Sequence, residues 1–246
     1  MKSSRVGGMD LLRGAAIVLM VIYHAVFSLV YIFGVDWTWF HHPIFNNVGA
    51  PLLGGTFVLL SGMSTRFSRS PVKRGLQVFF WAIVMTLATW LVMPDLIIKF
   101  GILHLMGLCM ILSGLLRPLL DIIPRKVGVL LFAALYILTI NVPNGGWLGI
   151  KGLFAVQLKT ENPWLFPLGL LAPGFYSSDY YPLIPWFFLF LAGTYLGLWV
   201  KEGKAPAWLY PSRLPWLEWV GRHTLWIYVL HQPILIGLFW LFFQLF

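Results

Sequence analysis

Long apolar runs, cut by short clusters of charge, proline and glycine, set the pattern of this chain. Crossing a bilayer core takes about 20 helical residues. Seven stretches reach or approach that length: residues 11–33, 50–65, 75–93, 100–116, 127–142, 183–200 and 224–245. Their apolar character is continuous rather than alternating, so they read as helices and not as the strands of an outer-membrane barrel. The second is short and glycine-rich, and is expected to tilt or to pack deep in the bundle. Residues 164–173 are apolar too, but Pro163, Pro167 and Pro173 interrupt them, which predicts a re-entrant or interfacial segment. The first run exceeds the apolar core of a signal peptide and no small-x-small cleavage site follows it, so it is expected to stay as a span. The expected fold is all-α: a polytopic transmembrane helical bundle of about seven spans, forming a single domain over 1–246.

Composition strengthens this reading. Hydrophobic residues make up 59% of the 246 and charged ones 10%, against about 45–50% and about 25% in soluble domains. One cysteine, Cys109, excludes a disulfide scaffold. The charge sets the orientation. With the N-terminus inside, 14 of the 17 Lys and Arg fall on the inner side, and Lys99, Lys151 and Lys159 remain outside. The positive-inside rule therefore places the N-terminus in the cytoplasm and, after seven spans, the C-terminus outside. The net charge of +9 then serves topology, anionic headgroups or an anionic cytoplasmic ligand. No soluble module is present to bind nucleic acid.

Ionisable residues at membrane depth are costly and mark candidate sites. His24 lies eleven residues beyond Arg13, roughly 16 Å along a helix and on nearly the same face, which Asp10, Ile17 and Met20 share. His231 sits in the last run beside Pro233, which cannot donate to the carbonyl of Val229; Tyr228 lies one turn earlier. His104 falls near the outer end of the fourth run. Two outer loops stand above them. Residues 34–49 hold Asp36, Trp37, Trp39, His41, His42, Asn46 and Asn47, and 141–182 end in Phe175, Tyr176, Asp179, Tyr180 and Tyr181. Long loops on a compact bundle are usually functional, and aromatics beside amides and carboxylates suit a sugar. Two other readings use the same residues: a transporter with a polar path, and a haem-binding electron carrier with His24, His104 and His231 as axial ligands.

Five stretches, in this order, carry a family resemblance. They are Asp10-Leu11-Leu12-Arg13-Gly14 leading to His24, Leu59-Leu60-Ser61-Gly62, Phe100-Gly101-Ile102-Leu103-His104-Leu105-Met106-Gly107, Tyr181-Pro182-Leu183-Ile184-Pro185-Trp186, and Gly221-Arg222-His223-Thr224 continuing to His231-Gln232-Pro233. From Asp10 to Pro233 the chain resembles the heparan-α-glucosaminide N-acetyltransferase catalytic-domain family, and its opening is similar to the acyltransferase type-3 family. The resemblance implies a transmembrane acetyltransferase. Such an enzyme moves the acetyl group of cytoplasmic acetyl-CoA to an amine or hydroxyl of a sugar or glycan, of glucosamine type, on the far side. It also implies a catalytic histidine in the first outer loop. Counting back from Gly62 gives His41, whereas the Phe-x-His pattern gives His42. The family's eukaryotic members have Asn where this chain has His24.

An imidazole, with an ordinary pKa near 6.5, suits the role of general base. The catalytic candidates are thus His41, His42, His24 and His231. CoA is polyanionic, and Arg13, Arg66, Arg74 and Arg222 stand at cytoplasmic helix ends where its phosphates would enter. Asp10, Asn46, Asn47, His104, Asp179, Tyr228 and Gln232 are the candidates for holding the acceptor. No metal is expected. The expected location is a bacterial inner (plasma) membrane, as a multi-pass integral protein, and a homodimer is compatible with the pattern.

Overall fold

A computed structural model gives the structure of residues 6–150 and 152–245. Lys2, Arg5 and Lys151, which entered the charge count, lie outside the described residues, as do the side chains of Asn46 and Asn47. The helices are α1 (Gly7–Tyr31), α2 (Ala50–Thr65), α3 (Pro71–Val92), α4 (Ile102–Leu115), the single turn α5 (Arg117–Leu120), α6 (Arg125–Thr139), α7 (Leu183–Lys201), α8 (Pro215–Arg222) and α9 (Thr224–Leu245).

Each of the seven predicted runs is helical, but their lengths differ. By length and apolar composition α1, α3, α7 and α9 can cross a membrane, while α2 and α4 are apolar and shorter. The backbone of α2 is extended by a π-helical turn, Phe45–Gly49, that runs directly into it. Proline and glycine punctuate the rest. Pro71 opens α3, Pro94 follows its end, and Gly34 and Gly203, at φ of 72° and 75°, take the left-handed conformation just beyond α1 and α7. The segment broken by prolines folds as a 3-10 helix, Pro163–Leu168.

Two elements depart from the expectation. Within 141–182 a hairpin forms from β1 (Trp147–Ile150) and β2 (Phe154–Gln157), antiparallel, with Trp147 facing Gln157 and Ile150 facing Phe154. Four-residue strands are too short to raise a clear alternation in sequence. Helix α8 was also hidden: it is short, amphipathic and lies in a stretch read as an inner loop.

The chain divides into two compact units, 1–60 with 205–246, and 61–204, the division falling within α2. In the first, α1 packs on α8 through glycines. A Cβ on Gly14 would overlap the carbonyl of Leu217, one on Gly221 that of Asp10, and one on Gly8 that of Leu209. Lipid tails are as apolar as leucine, so helices associate through such close backbone contact. Helix α9 runs parallel to α1: His24 meets His231, and further along Phe33 meets Phe239 and Phe243. The approach to α8 is closed by Glu218. This buried carboxylate accepts from Ser212 Oγ at 2.8 Å and from the Arg213 amide at 2.8 Å. The Ser212 bond first, and then the Arg213 amide, hold its pKa below the ordinary carboxylate value.

In the second unit, α3 and α4 meet where Gly75 and Gly107 lie against each other's backbone. The end of α2 packs on α7, with Gly62 against the Phe190 carbonyl and Gly197 against Met63. Tyr195 of α7 is fully buried among Leu120, Phe132, Leu191 and Ala192. Its hydroxyl donates to the Leu120 carbonyl at 2.6 Å, its ring stacks on Phe132, and Gly128 of α6 leaves room for it.

Two tests follow from these contacts. Gly221→Ala should lower stability by about 1–3 kcal/mol, as overpacking does. Gly237→Ala, where nothing lies within 4 Å, should be neutral or gain up to about 1 kcal/mol from helix propensity; thermal unfolding in detergent compares the two. Glu218 has a depressed carboxyl pKa, so its contribution is present above the unfolded value, near 4.3. It is lost as pH falls through the folded one. Glu218→Gln should therefore remove part of the acid-side loss of stability below about pH 4.3 in a pH series of melting curves.

Candidate functional site

The first unit gathers three of the four candidate catalytic histidines along one face of α1. His24 and the buried His231 of α9 approach with ring centroids 5.0 Å apart. From His24 the ring contacts climb to Phe27 at 6.3 Å, Tyr31 at 4.7 Å and His41 at 5.7 Å. Positions 24, 27 and 31 follow helical spacing, so the ladder spans two turns, roughly 10 Å of rise. Its far end is the 34–49 loop, pinned by buried Phe40, which packs on Tyr23, Tyr31 and Phe45.

Tautomers follow from partners. The Nδ1–H of His231 donates to the Tyr228 carbonyl at 2.5 Å. In the neutral ring Nε2 then carries the lone pair, and this buried atom has no hydrogen-bond partner. Next to it, Gln232 donates from Nε2 to Ser28 Oγ at 2.9 Å, and Ser28 in turn donates to the His24 carbonyl at 2.8 Å. Gln232 Oε1 is buried and also lacks a partner. Two acceptors without donors at membrane depth are where a ligand N–H or O–H would be held. Of the loop pair, His41 Nδ1 lies 3.5 Å from the Tyr31 hydroxyl. His42 Nδ1 accepts from the Ile44 amide at 3.3 Å. His41 belongs to the ladder, and His42 is tied to its own loop; both are exposed.

At the other end of α1, Asp10 is buried and forms an ion pair with Arg13. Arg13 Nε is buried without a partner. Arg222 is exposed.

The second unit holds the remaining candidates, and it engages most of them. His104 Nδ1 accepts from the Gly101 amide at 3.2 Å, and its Nε2 lies 3.2 Å from Thr86 Oγ1, which donates to the Ile98 carbonyl. Both ring nitrogens are thus occupied, and Phe100 stacks on the ring. Asp179 Oδ2 accepts from the Ile102 amide at 3.0 Å, satisfying the first turn of α4, and Gly101 leaves the space for it. Tyr180 donates to the Phe166 carbonyl at 2.6 Å, and burial raises its hydroxyl pKa. These bonds fasten the end of the 141–182 segment to α4. Arg66 is buried and donates to Asp121 and to the Thr194 carbonyl; Arg74 is exposed. Among the described residues, no three His, Cys, Asp or Glu side chains are placed to hold a metal.

Sequence reasoning passed over Ser28 and Thr86. Ser28 stands one turn beyond His24 on the same face, a spacing that would have exposed it. Thr86 becomes a partner of His104 only through the pairing of α3 with α4.

A helical chain with apolar helices of membrane length and polar groups held at depth is an integral membrane protein. Residues 5–233 match the family described as heparan-alpha-glucosaminide N-acetyltransferase, catalytic. The chain belongs to this family and is accordingly a membrane acetyltransferase. Neither the search of curated proteins nor that of solved structures gave a match.

The role of Asp179 is open to a direct measurement. As a helix-end acceptor, its change to Ala should cost about 0.5–2 kcal/mol in thermal unfolding. An acceptor-binding carboxylate would instead raise KM at unchanged stability.

Proposed function

We propose that the chain takes acetyl-CoA from the cytoplasm and acetylates an amine or hydroxyl of a glucosamine-type sugar on the external side of a bacterial inner membrane. The match of residues 5–233 to the acetyltransferase family carries the reading. The seven-span topology with cytoplasmic N-terminus belongs to the same proposal. It is supported by the basic residues at one set of helix ends and by the parallel course of α1 and α9, which an odd number of crossings requires. The whole chain acts as one catalytic domain.

In the reaction, the acceptor's nitrogen or oxygen adds to the thioester carbonyl, its proton passes to an imidazole, and the C–S bond breaks to release CoA as thiolate, which takes up a proton. His41 is the proposed base. It is exposed to the side on which the sugar arrives, and it can return its proton to water. The buried pair stands two turns below. There His231 Nε2 and Gln232 Oε1 accept hydrogen bonds from N–H or O–H groups of the bound substrates, while Tyr228 and Ser28 fix the orientation of His231 and Gln232. Exposed Arg74 and Arg222 draw the phosphates of CoA to the cytoplasmic face, with Arg13 partly offset by Asp10.

The test is release of CoA thiol dependent on a glucosamine-type acceptor, in vesicles loaded with acetyl-CoA. His41→Ala should lose at least about 10²-fold in kcat, the usual size of a general-base contribution, with thermal stability retained. His24→Ala should lose activity and stability together, since it removes a polar group from a packed helix face. Should His42→Ala be the inactive variant and His41→Ala turn over normally, the base is His42. Full turnover in both would reject a loop base altogether.

A further inference from the structure

In the first unit, one aromatic face is left outside the helix packing. Helix α8 turns Leu217 and Gly221 onto α1 at Gly14 and Asp10, and Glu218 is buried beside them. Its other side carries Trp216 and Trp219, one turn apart and 61% and 54% exposed. Trp208 is 48% exposed, in the 3-10 turn Ala207–Leu209 whose Leu209 packs on Gly8. The indole of Trp219 is held in place. His223 lies with its ring 4.3 Å from it, and His223 Nδ1 donates to the Trp219 carbonyl at 2.8 Å.

The position of α8 along the unit sets what meets this face. Only His223 separates its last residue, Arg222, from Thr224, where α9 begins, and α9 is long enough to cross a membrane. On α1, also of membrane length, α8 touches Asp10 and Gly14 in the first turns, while α9 reaches His24 and Phe33 further along. The helix thus lies where two membrane-length helices start, at the boundary between headgroups and acyl chains. Indole suits that boundary, being mostly apolar with one N–H donor. The outward charge has one sign. Arg213 and Arg222 are exposed. Glu218, the one acidic residue between positions 205 and 223, is buried and bonded to Ser212 and the Arg213 amide.

We propose that α8 is a membrane-surface anchor, with Trp216 and Trp219 seated in the interfacial layer of an anionic leaflet and Arg213 on its headgroups. An amphipathic helix at this level lies in the plane of the interface, its apolar side toward the acyl chains. Arg213 precedes Trp216 by three residues, and its long side chain carries the guanidinium outward to phosphate while the indoles stay deeper. A second copy of the chain fits this face poorly. A two-fold contact sets the same patch against itself, which would add two more arginines and no acid. A lipid surface supplies the missing negative charge. Because α8 is joined to α1 at the Gly14–Gly221 contact, the anchor also holds the start of α1 at a fixed depth.

The test uses the full chain in vesicles of equal phosphatidylglycerol and phosphatidylcholine, with one or the other brominated near the carbonyl end of its acyl chains. The emission of the two tryptophans is the difference between the wild-type protein and the double variant Trp216→Phe, Trp219→Phe. Both rings are exposed, so this variant should keep its thermal unfolding. Brominated phosphatidylglycerol should quench the difference emission, and more strongly than brominated phosphatidylcholine. One arginine at an anionic surface is worth about fivefold in lipid preference, and Arg213→Gln should narrow the gap accordingly. A nitroxide on Trp216→Cys, with Cys109→Ala, measures depth independently. It should be reached by oxygen and shielded from an aqueous nickel chelate. Nickel access or unquenched emission would overturn the proposal. So would equal quenching by the two lipids, which makes the contact indifferent to charge. Quenching that falls as more protein is packed per lipid would assign the face to a second copy and reject the anchor. None of these readouts depends on acetyl transfer.

Discussion

Each unit rests on close approach between helix backbones, and glycine makes that approach. In lipid there is no hydrophobic gain from pressing one apolar helix against another, so dispersion contacts and short polar bonds must hold them together. Gly14 and Gly221 bring α1 and α8 near enough for backbone to touch backbone, and Gly62, Gly75, Gly107 and Gly197 do the same in the second unit. The placement of polar groups depends on these seams. Asp10 is buried where the Gly221 seam crosses α1. His104 reaches Thr86 through the pairing of α3 and α4 that Gly75 and Gly107 set.

The buried polar groups differ in how fully their hydrogen bonds are satisfied. His104 and His231 are both buried imidazoles. His104 uses both nitrogens within its own unit and locks the start of α4 to α3. His231 uses one, and keeps a lone pair facing no donor beside Gln232 Oε1, which is in the same condition. A folded chain gains from satisfying such groups, and each one left open in a packed interior calls for a ligand or another specific reason. Arg66 makes the same case on the donor side, with one N–H pair open where two of its nitrogens are bound.

The sequence exposed the helices well because apolar runs long enough for a bilayer leave few alternatives. Positions 24 and 231 could be singled out because ionisable residues are rare in such runs. What stayed hidden depended on pairing. The hairpin 147–157 is made of strands too short for periodicity, and α8 carries Trp216, Trp219, Glu218 and Arg222 in a stretch that reads as a basic loop. The bonds of Asp179 and His104 to the amides of Ile102 and Gly101 were not legible either, because backbone groups carry no side-chain signature. The sequence places His24 and His231 at membrane depth, but their meeting, with rings 5.0 Å apart, depends on the parallel course of α1 and α9.

The ladder from His231 to His41 also bears on how a membrane enzyme can manage a proton. Acyl transfer takes one proton from the amine or hydroxyl and gives one to the departing CoA thiolate, and an imidazole that holds the proton in between at bilayer depth carries an expensive charge. A base placed only at that depth would carry this charge away from water until the thiolate took its proton. His41 is exposed and meets water directly, while Tyr31, Phe27 and the buried pair continue the same face of α1 inward. On the proposed reading this arrangement divides the labour. Neutral hydrogen-bond acceptors serve where the dielectric is low, and the group that must become charged stands where water can carry its proton away.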